Sequence, residues 1–422
     1  MTLRRRTLLT LTATALTASA VGTTFALNPD VLGTASAAMP SPATTAYRPE
    51  LPKPTGRYSI GTTELHLVDR ARKDPWSGSG KPRELMASVW YPAVPGSGAR
   101  TPYVPAKIAG LLGAELTEPL GLKPEQLDYA GASTHARAGV PALGRHPVVV
   151  YSPGFGTSRL MGTQLVEDLV SRGYVVVTMD HTGEAPVLFP GGRVAPAVVR
   201  VEELKKATSV RVADTRYVLD QLRKLASGGN PDAGHRKLPN GLRGSLDLRH
   251  TGMLGYSLGG LTAAETMLRD RRVDAGVNMD GTLQYGFPAG ELIESAKRGL
   301  DRPFLLFGGQ THTHLSQPGA PMNDVSWTTF WNNQRGWKLD LNLPGGTHAS
   351  FADYQFSAPG LARHAGLPDE VVEGLLGTVD PVRSVAAQRA YLGAYFDRFL
   401  KGRPQPLLWK ESPRHPDVKF VR

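Results

Sequence analysis

The chain has 422 residues, 41% hydrophobic and 20% charged, the composition of a globular protein long enough to bury a large core. Its formal charge is +11, from 48 Lys and Arg against 37 Asp and Glu. The charges are scattered rather than gathered into a stripe, and no DNA- or RNA-binding motif is present, so a nucleic-acid partner is not expected.

At the N-terminus, Arg4, Arg5 and Arg6 precede an Ala/Thr-rich run and then Ala35-Ser36-Ala37, a small-x-small pattern. Residues 1–38 therefore read as a secretion signal. Arg5-Arg6-Thr7-Leu8-Leu9 resembles the twin-arginine export motif, with a plain Sec signal as the alternative. The run is too weakly apolar for a membrane span. With no cysteine in the chain, a secreted protein would be held by packing alone, without disulfides or a lipid-anchoring thiol. Residues 39–56 are Pro/Thr-rich and read as an extended lead-in.

One domain is expected over 57–422. Leu65–Val68 and Leu85–Tyr91 have the pattern of strands. Residues 92–146 are irregular, with a weak helix near Ile108–Leu116, and form a candidate cap. A regular alternation follows. Strands are predicted at 146–151, 174–179, 251–254, 273–279, 303–307 and 337–343. Helices are predicted at 160–172, 201–225, 261–268 and 384–400. Short apolar strands alternating with helices imply an α/β fold, a mostly parallel sheet covered on both faces.

The sequence MLGYSLGG places Ser257 between Gly255 and Gly259, after a strand and before a helix. A nucleophilic serine must stand clear of the fold on a strained turn whose neighbours lack side chains, which is the G-x-S-x-G elbow of the α/β-hydrolase fold. In that fold an acid and then a histidine follow the serine. His348, in LPGGTHASFADY just after the last predicted strand, is the candidate base. Asp280, at the tip of the strand ending VNMD, is the preferred acid. Asp324, after the next strand, is the other carboxylate the order allows. Asp353 reads as support for the histidine loop. His312 and His314, two residues apart, come too early for the base and could line a pocket or bind a stray ion. The oxyanion donors would be the N–H groups of Leu258 and of Phe155, in YSPGFGTSR after the first buried strand.

Three of these segments, with SVWYP upstream, resemble the plasma-type platelet-activating factor acetylhydrolases and their bacterial relatives, over roughly residues 85–400. The resemblance implies an α/β-hydrolase serine esterase or lipase that removes short acyl groups from phospholipids. It implies no metal or other cofactor. In that family the acid follows the strand directly after the nucleophile helix, which favours Asp280. The family's oxyanion segment usually reads His-Gly followed by an apolar residue, whereas here it is Pro153-Gly154-Phe155. The expected partner is a small-molecule or lipid ester, with contact at a lipid interface. An acyltransferase with the same triad, or a cutinase-like polyesterase, is the alternative. Residues 101–122, rich in leucine and including Leu111 and Leu112, could either pack on the core or border the acyl entrance.

Overall fold

The computed structural model describes residues 45–96, 98–286, 290–315 and 324–422. The expected export signal and the start of the lead-in lie outside the described residues.

Among the described residues, the strands form an eleven-stranded sheet and two small hairpins. In chain order they are β1 (Ser59–Lys73), β2 (Pro82–Ala93), β3 (Arg100–Pro102), β4 (Ser133–Ala138), β5 (His146–Ser152) and β6 (Val175–Met179). After the small hairpin of β7 (Val187–Leu188) and β8 (Val194–Ala195) come β9 (Leu246–Tyr256) and β10 (Ala275–Met279). A second small hairpin pairs β11 (Gln284–Tyr285) with β12 (Glu291–Leu292), and β13 (Phe304–Gly309), β14 (Lys338–Leu343) and β15 (Lys419–Val421) complete the set. The order across the sheet is β15-β14-β13-β10-β9-β5-β6-β2-β1-β4-β3. The six strands from β14 to β6 are parallel, and β15 and β2 flank them antiparallel.

The helices are α1 (Ala106–Thr117), α2 (Thr163–Ser171), α3 (Leu204–Ala226), α4 (Leu258–Arg269), α5 (Glu294–Arg298), α6 (Val325–Asn333), α7 (Tyr354–His364), α8 (Asp369–Leu376) and α9 (Pro381–Leu400). Successive strand residues feed opposite faces. Val149 and Tyr151 of β5 join Leu165 of α2 and Phe396 of α9 in one core, while Val148 and Val150 join Leu222 of α3 and Leu261 of α4 in the other. This is the expected α/β fold. Buried on both faces, the central strands read as unbroken apolar runs.

The segment between β2 and β5 is more ordered than its sequence indicates. Strands β3 and β4 extend the sheet beyond β1. On α1, Ile108, Leu112 and Leu116 enter the core, while Leu111 is 52% exposed. Most of the leucine-rich stretch is therefore packing, and Leu111 alone of the Leu111–Leu112 pair faces outward. Among the described residues, no helix is long and apolar enough to cross a membrane.

The chain leaves β5 toward β6 on one side and returns as β9 on the other. The crevice at the carboxyl ends of β5 and β9 is thus the topological switch point, where open α/β sheets place their ligands. Ser152 pairs with Gly255 there, so the loop after β5 and the turn after β9 are neighbours.

Candidate active site

Strand β9 ends at Tyr256 and α4 begins at Leu258. Ser257, between them, has φ +54° and ψ −124°, strain of about 1–3 kcal/mol that persists only where the surroundings over-determine it. They do so here. The Ser257 N–H donates to the Met279 carbonyl at 2.8 Å, and its own carbonyl accepts the Gly260 N–H at 2.8 Å. The flanking glycines are required by close packing. A Cβ on Gly255 would lie 1.9 Å from the Gly259 carbonyl oxygen, and one on Gly259 would lie 2.0 Å from that of Ser152. Any side chain at either position would push β9, α4 and β5 apart and carry the serine with them.

His348 opens a short turn after β14. Its Nε2 is 3.0 Å from Ser257 Oγ and its Nδ1 is 2.6 Å from Asp280 Oδ2. The carboxylate can only accept, so Nδ1 carries the proton of the neutral ring and Nε2 is free to accept from the serine hydroxyl. The Tyr256 ring lies against the imidazole, with centroids 4.9 Å apart.

Asp280 is buried. It too has a positive φ, +55°, and its N–H donates to the Phe307 carbonyl at 2.9 Å. Its Oδ1 accepts from the Gly309 N–H and from His312 Nδ1, both at 2.9 Å. Burial alone would raise this carboxyl, but the two histidines overcome it and hold it well below the usual carboxylate range. The other candidate, Asp324, caps α6 by accepting the Ser326 N–H at 2.9 Å. Its Oδ2 lies 3.0 Å from His312 Nε2, so His312 bridges the two aspartates. His312 and His314 are each buried against a carboxylate, His314 on Asp340 at 2.7 Å, and each lies against a tryptophan.

Asp353 joins the histidine segment to α2, accepting from the Tyr103 hydroxyl at 3.0 Å and the Thr163 N–H at 2.9 Å. Burial pushes it up to about 7.

Leu258 is the first residue of α4, where backbone N–H groups have no intrahelical acceptor. Phe155 lies in the loop after β5, partly buried against the second core. That loop is held by a residue not singled out in the sequence. Arg211 of α3 donates to the Pro153 carbonyl at 2.7 Å and the Gly154 carbonyl at 2.9 Å. Its guanidinium is itself clasped by Glu184 at 2.8 and 2.5 Å. The Gly154 carbonyl and the Phe155 N–H belong to one planar peptide and point in opposite directions. Fixing the carbonyl therefore fixes the aim of the N–H.

A second Ser–His–Asp set lies under the same loop. Ser152 Oγ is 2.9 Å from His181 Nε2, and His181 Nδ1 is 3.1 Å from Asp214 Oδ2. All three residues are buried. Burial and the Arg211 charge push His181 down. The Arg83 guanidinium, at 2.8 Å, keeps Asp214 below the usual range against the effect of burial. Only their spacing in the fold, not any motif, brings these residues together. Among the described residues, no group of three or more His, Asp or Glu is placed to hold a metal ion.

Residues 129–188 match the family model for platelet-activating factor acetylhydrolase, isoform II. A probable 1-alkyl-2-acetylglycerophosphocholine esterase of Arthroderma benhamiae is 28% identical over 401 residues, 88% of this chain and 93% of that protein. The platelet-activating factor acetylhydrolase of Cavia porcellus is 24% identical over 334 residues, 73% and 70% of the two chains. A solved structure, a ferulic acid esterase from Streptomyces cinnamoneus, superposes with a TM-score of 0.71 at 39% identity, covering 89% of this chain and 99% of that one. With the elbow, the switch-point crevice and the sheet order in place, the chain belongs to the platelet-activating factor acetylhydrolase-like esterases of the α/β-hydrolase superfamily and is a carboxylic ester hydrolase.

Proposed function

We propose that this esterase is an exported serine hydrolase that cleaves short-acyl esters, lipid esters among them, through Ser257, His348 and Asp280. The observation that carries the reading is the strained Ser257 turn with its 3.0 Å and 2.6 Å links to His348 and Asp280. The Ser257 hydroxyl gives its proton to His348 Nε2 as its oxygen bonds to the ester carbonyl carbon. The carbonyl oxygen becomes an oxyanion that the Phe155 and Leu258 N–H groups receive. The bond to the alcohol then breaks, and the alcohol departs with the proton from His348. Water, giving a proton to the same nitrogen, attacks the acyl carbon, and the bond to Ser257 breaks as its oxygen takes that proton back from His348, releasing the acid. Asp280 remains ionised throughout and fixes the imidazole tautomer.

The names of the similar acetylglycerophosphocholine esterase and acetylhydrolases support a short acyl group on a lipid. A second reading, an aromatic acyl group, is favoured by the 39% identity to a ferulic acid esterase over almost the whole chain. One panel separates them: p-nitrophenyl esters of increasing chain length, a 2-acetyl phospholipid, and methyl ferulate. Preference for the acetyl phospholipid supports the first, and preference for methyl ferulate the second. A fluorophosphonate that labels the protein elsewhere than Ser257 would sink the mechanism. The export reading rests on residues 1–38, and detection of the processed protein in culture medium tests it.

A further inference from the structure

The acid of the proposed triad does not stand alone. Asp280 Oδ1 meets His312 Nδ1 at 2.9 Å, and His312 Nε2 meets Asp324 Oδ2 at 3.0 Å. All three side chains are buried. A carboxylate on each ring nitrogen leaves no acceptor role for either nitrogen, so the ring that satisfies both partners carries two protons and a positive charge. The tryptophan against it suits a cation, since the His312 and Trp327 rings are 4.0 Å apart. Trp327 is in turn fixed by its indole N–H, which donates to the Gly281 carbonyl at 2.8 Å. Gly281 immediately follows the acid.

We propose that His312 is a positioning residue of the active site, an imidazolium held between Asp280 and Asp324 that keeps Asp280 ionised and aims its Oδ2 at His348. This rests on the Ser257–His348–Asp280 reading and deepens it. The row Ser257–His348–Asp280–His312–Asp324 alternates neutral, neutral, negative, positive, negative. The positive member offsets the second aspartate, so Asp280 does not share its site with an uncompensated like charge. Burial opposes the charge on His312, yet the two aspartates outweigh it and lift the ring to about 10.

The other charged and titratable groups around this row come from several elements. Asp340 of β14 lies within electrostatic reach of His312 and is paired with His314. Tyr256 at the end of β9 senses Asp280, and Glu115 of α1 reaches Tyr256. Replacing His312 by a neutral residue removes the cation nearest the Asp280–His348 couple while leaving Asp324, Asp340 and Glu115 in place. Protonation of the couple then becomes easier.

The test is the pH dependence of kcat/KM on a soluble p-nitrophenyl ester for the parent, His312→Gln and Asp324→Asn, with Ser257→Ala alongside. In His312→Gln, the acid limb should move to higher pH by about one unit. The plateau rate should fall by about tenfold or more, as the carboxylate loses its aim. In Asp324→Asn the cation stays on Asp280 while the negative charge behind it is lost, so the limb should move slightly to lower pH. A folded His312→Gln with the parent's acid limb, or with losses equal at every pH, would overturn the proposal and leave His312 as packing. If His312→Gln does not fold, His312→Asn decides by the same criterion. An active Ser257→Ala would instead reject the underlying triad, so the two failures are told apart.

Discussion

Two Ser–His–Asp sets stand side by side at the carboxyl ends of β9 and β5, with closely similar hydrogen-bond lengths. Ser257–His348–Asp280 spans 3.0 and 2.6 Å, and Ser152–His181–Asp214 spans 2.9 and 3.1 Å. Distances alone do not distinguish them. Surroundings do. Ser257 and His348 are partly exposed, whereas Ser152 and His181 are buried. Ser257 sits on a strained turn at the N-terminal end of a helix, while Ser152 ends a regular strand and shares its hydroxyl with Arg211 at 3.4 Å. A nucleophile needs room for a tetrahedral centre and donors for its oxyanion. The first set has the access and the helix N-terminus, and the second is buried. The second is a structural bracket that, with Arg211 and Glu184, carries the loop of Phe155.

The sharpest way to break this comparison is to remove each serine. Ser257→Ala should keep the fold and lose on the order of 10⁴-fold or more in kcat. Ser152→Ala should lose less than about tenfold, its cost falling on stability as His181 loses a buried partner, about 1–3 kcal/mol. Mass spectrometry should find the fluorophosphonate on Ser257 in the parent and in Ser152→Ala. Comparable losses in the two variants would mean that the bracket takes part in the chemistry.

Asp280→Asn should lower kcat by about 10²–10⁴-fold with the protein still folded, through the wrong imidazole tautomer. Asp324→Asn should lose far less, because it acts only through His312. If their ranks are reversed in steady-state assays, the acid has been misassigned.

Next in size is the bracket itself. Arg211→Met alone would strand the Glu184 carboxylate in the interior at a cost of about 3–5 kcal/mol, so the variant to make is Arg211→Met with Glu184→Gln. The Phe155 N–H should then lose its aim. The oxyanion matters only beyond the ground state, so kcat should fall by about 10–10²-fold with little change in KM. A KM effect with kcat intact would show that the loop binds substrate rather than the developing charge.

The candidate triad at the elbow is far more legible in the sequence than the groups that support it. Ser257, Asp280 and His348 are visible because each follows a strand, and the strands announce themselves as apolar runs between turns. Boundaries were less visible. Strand β9 begins at Leu246, five residues before the apolar run, because Asp247, Arg249 and His250 lie at its outer, solvated end. Helix α7 was obscured by Pro359 within it, and β3 and β4 by the polar residues of a sheet edge. The bracket was hidden for a different reason. Arg211 reads as one more cation on a long helix, and its burial follows only from the meeting of α3 with the loops after β5 and β6. His312 was legible as a histidine after a strand, but not its two aspartates.

The smallest effects expected are those of pH on stability, where His181 and His312 should behave oppositely although each lies on aspartate. His181 is pushed down by burial and by Arg211. Above the ordinary histidine value, about 6.5, it is neutral folded or unfolded and contributes nothing to the pH dependence. Below it the unfolded chain takes up a proton that the folded site refuses, so stability falls as the solution is acidified. His312 is lifted to about 10. Its contribution is fully present below about 6.5 and is lost as pH rises toward 10, because the folded state holds a proton that the unfolded chain releases. Denaturant unfolding at a series of pH values separates the two. His181→Gln should flatten the acid side of the stability profile, and His312→Gln the alkaline side between about 6.5 and 10. Should both variants flatten the same side, the two rings carry the same charge, and the distinction drawn between the bracket and the active site is wrong at its electrostatic root.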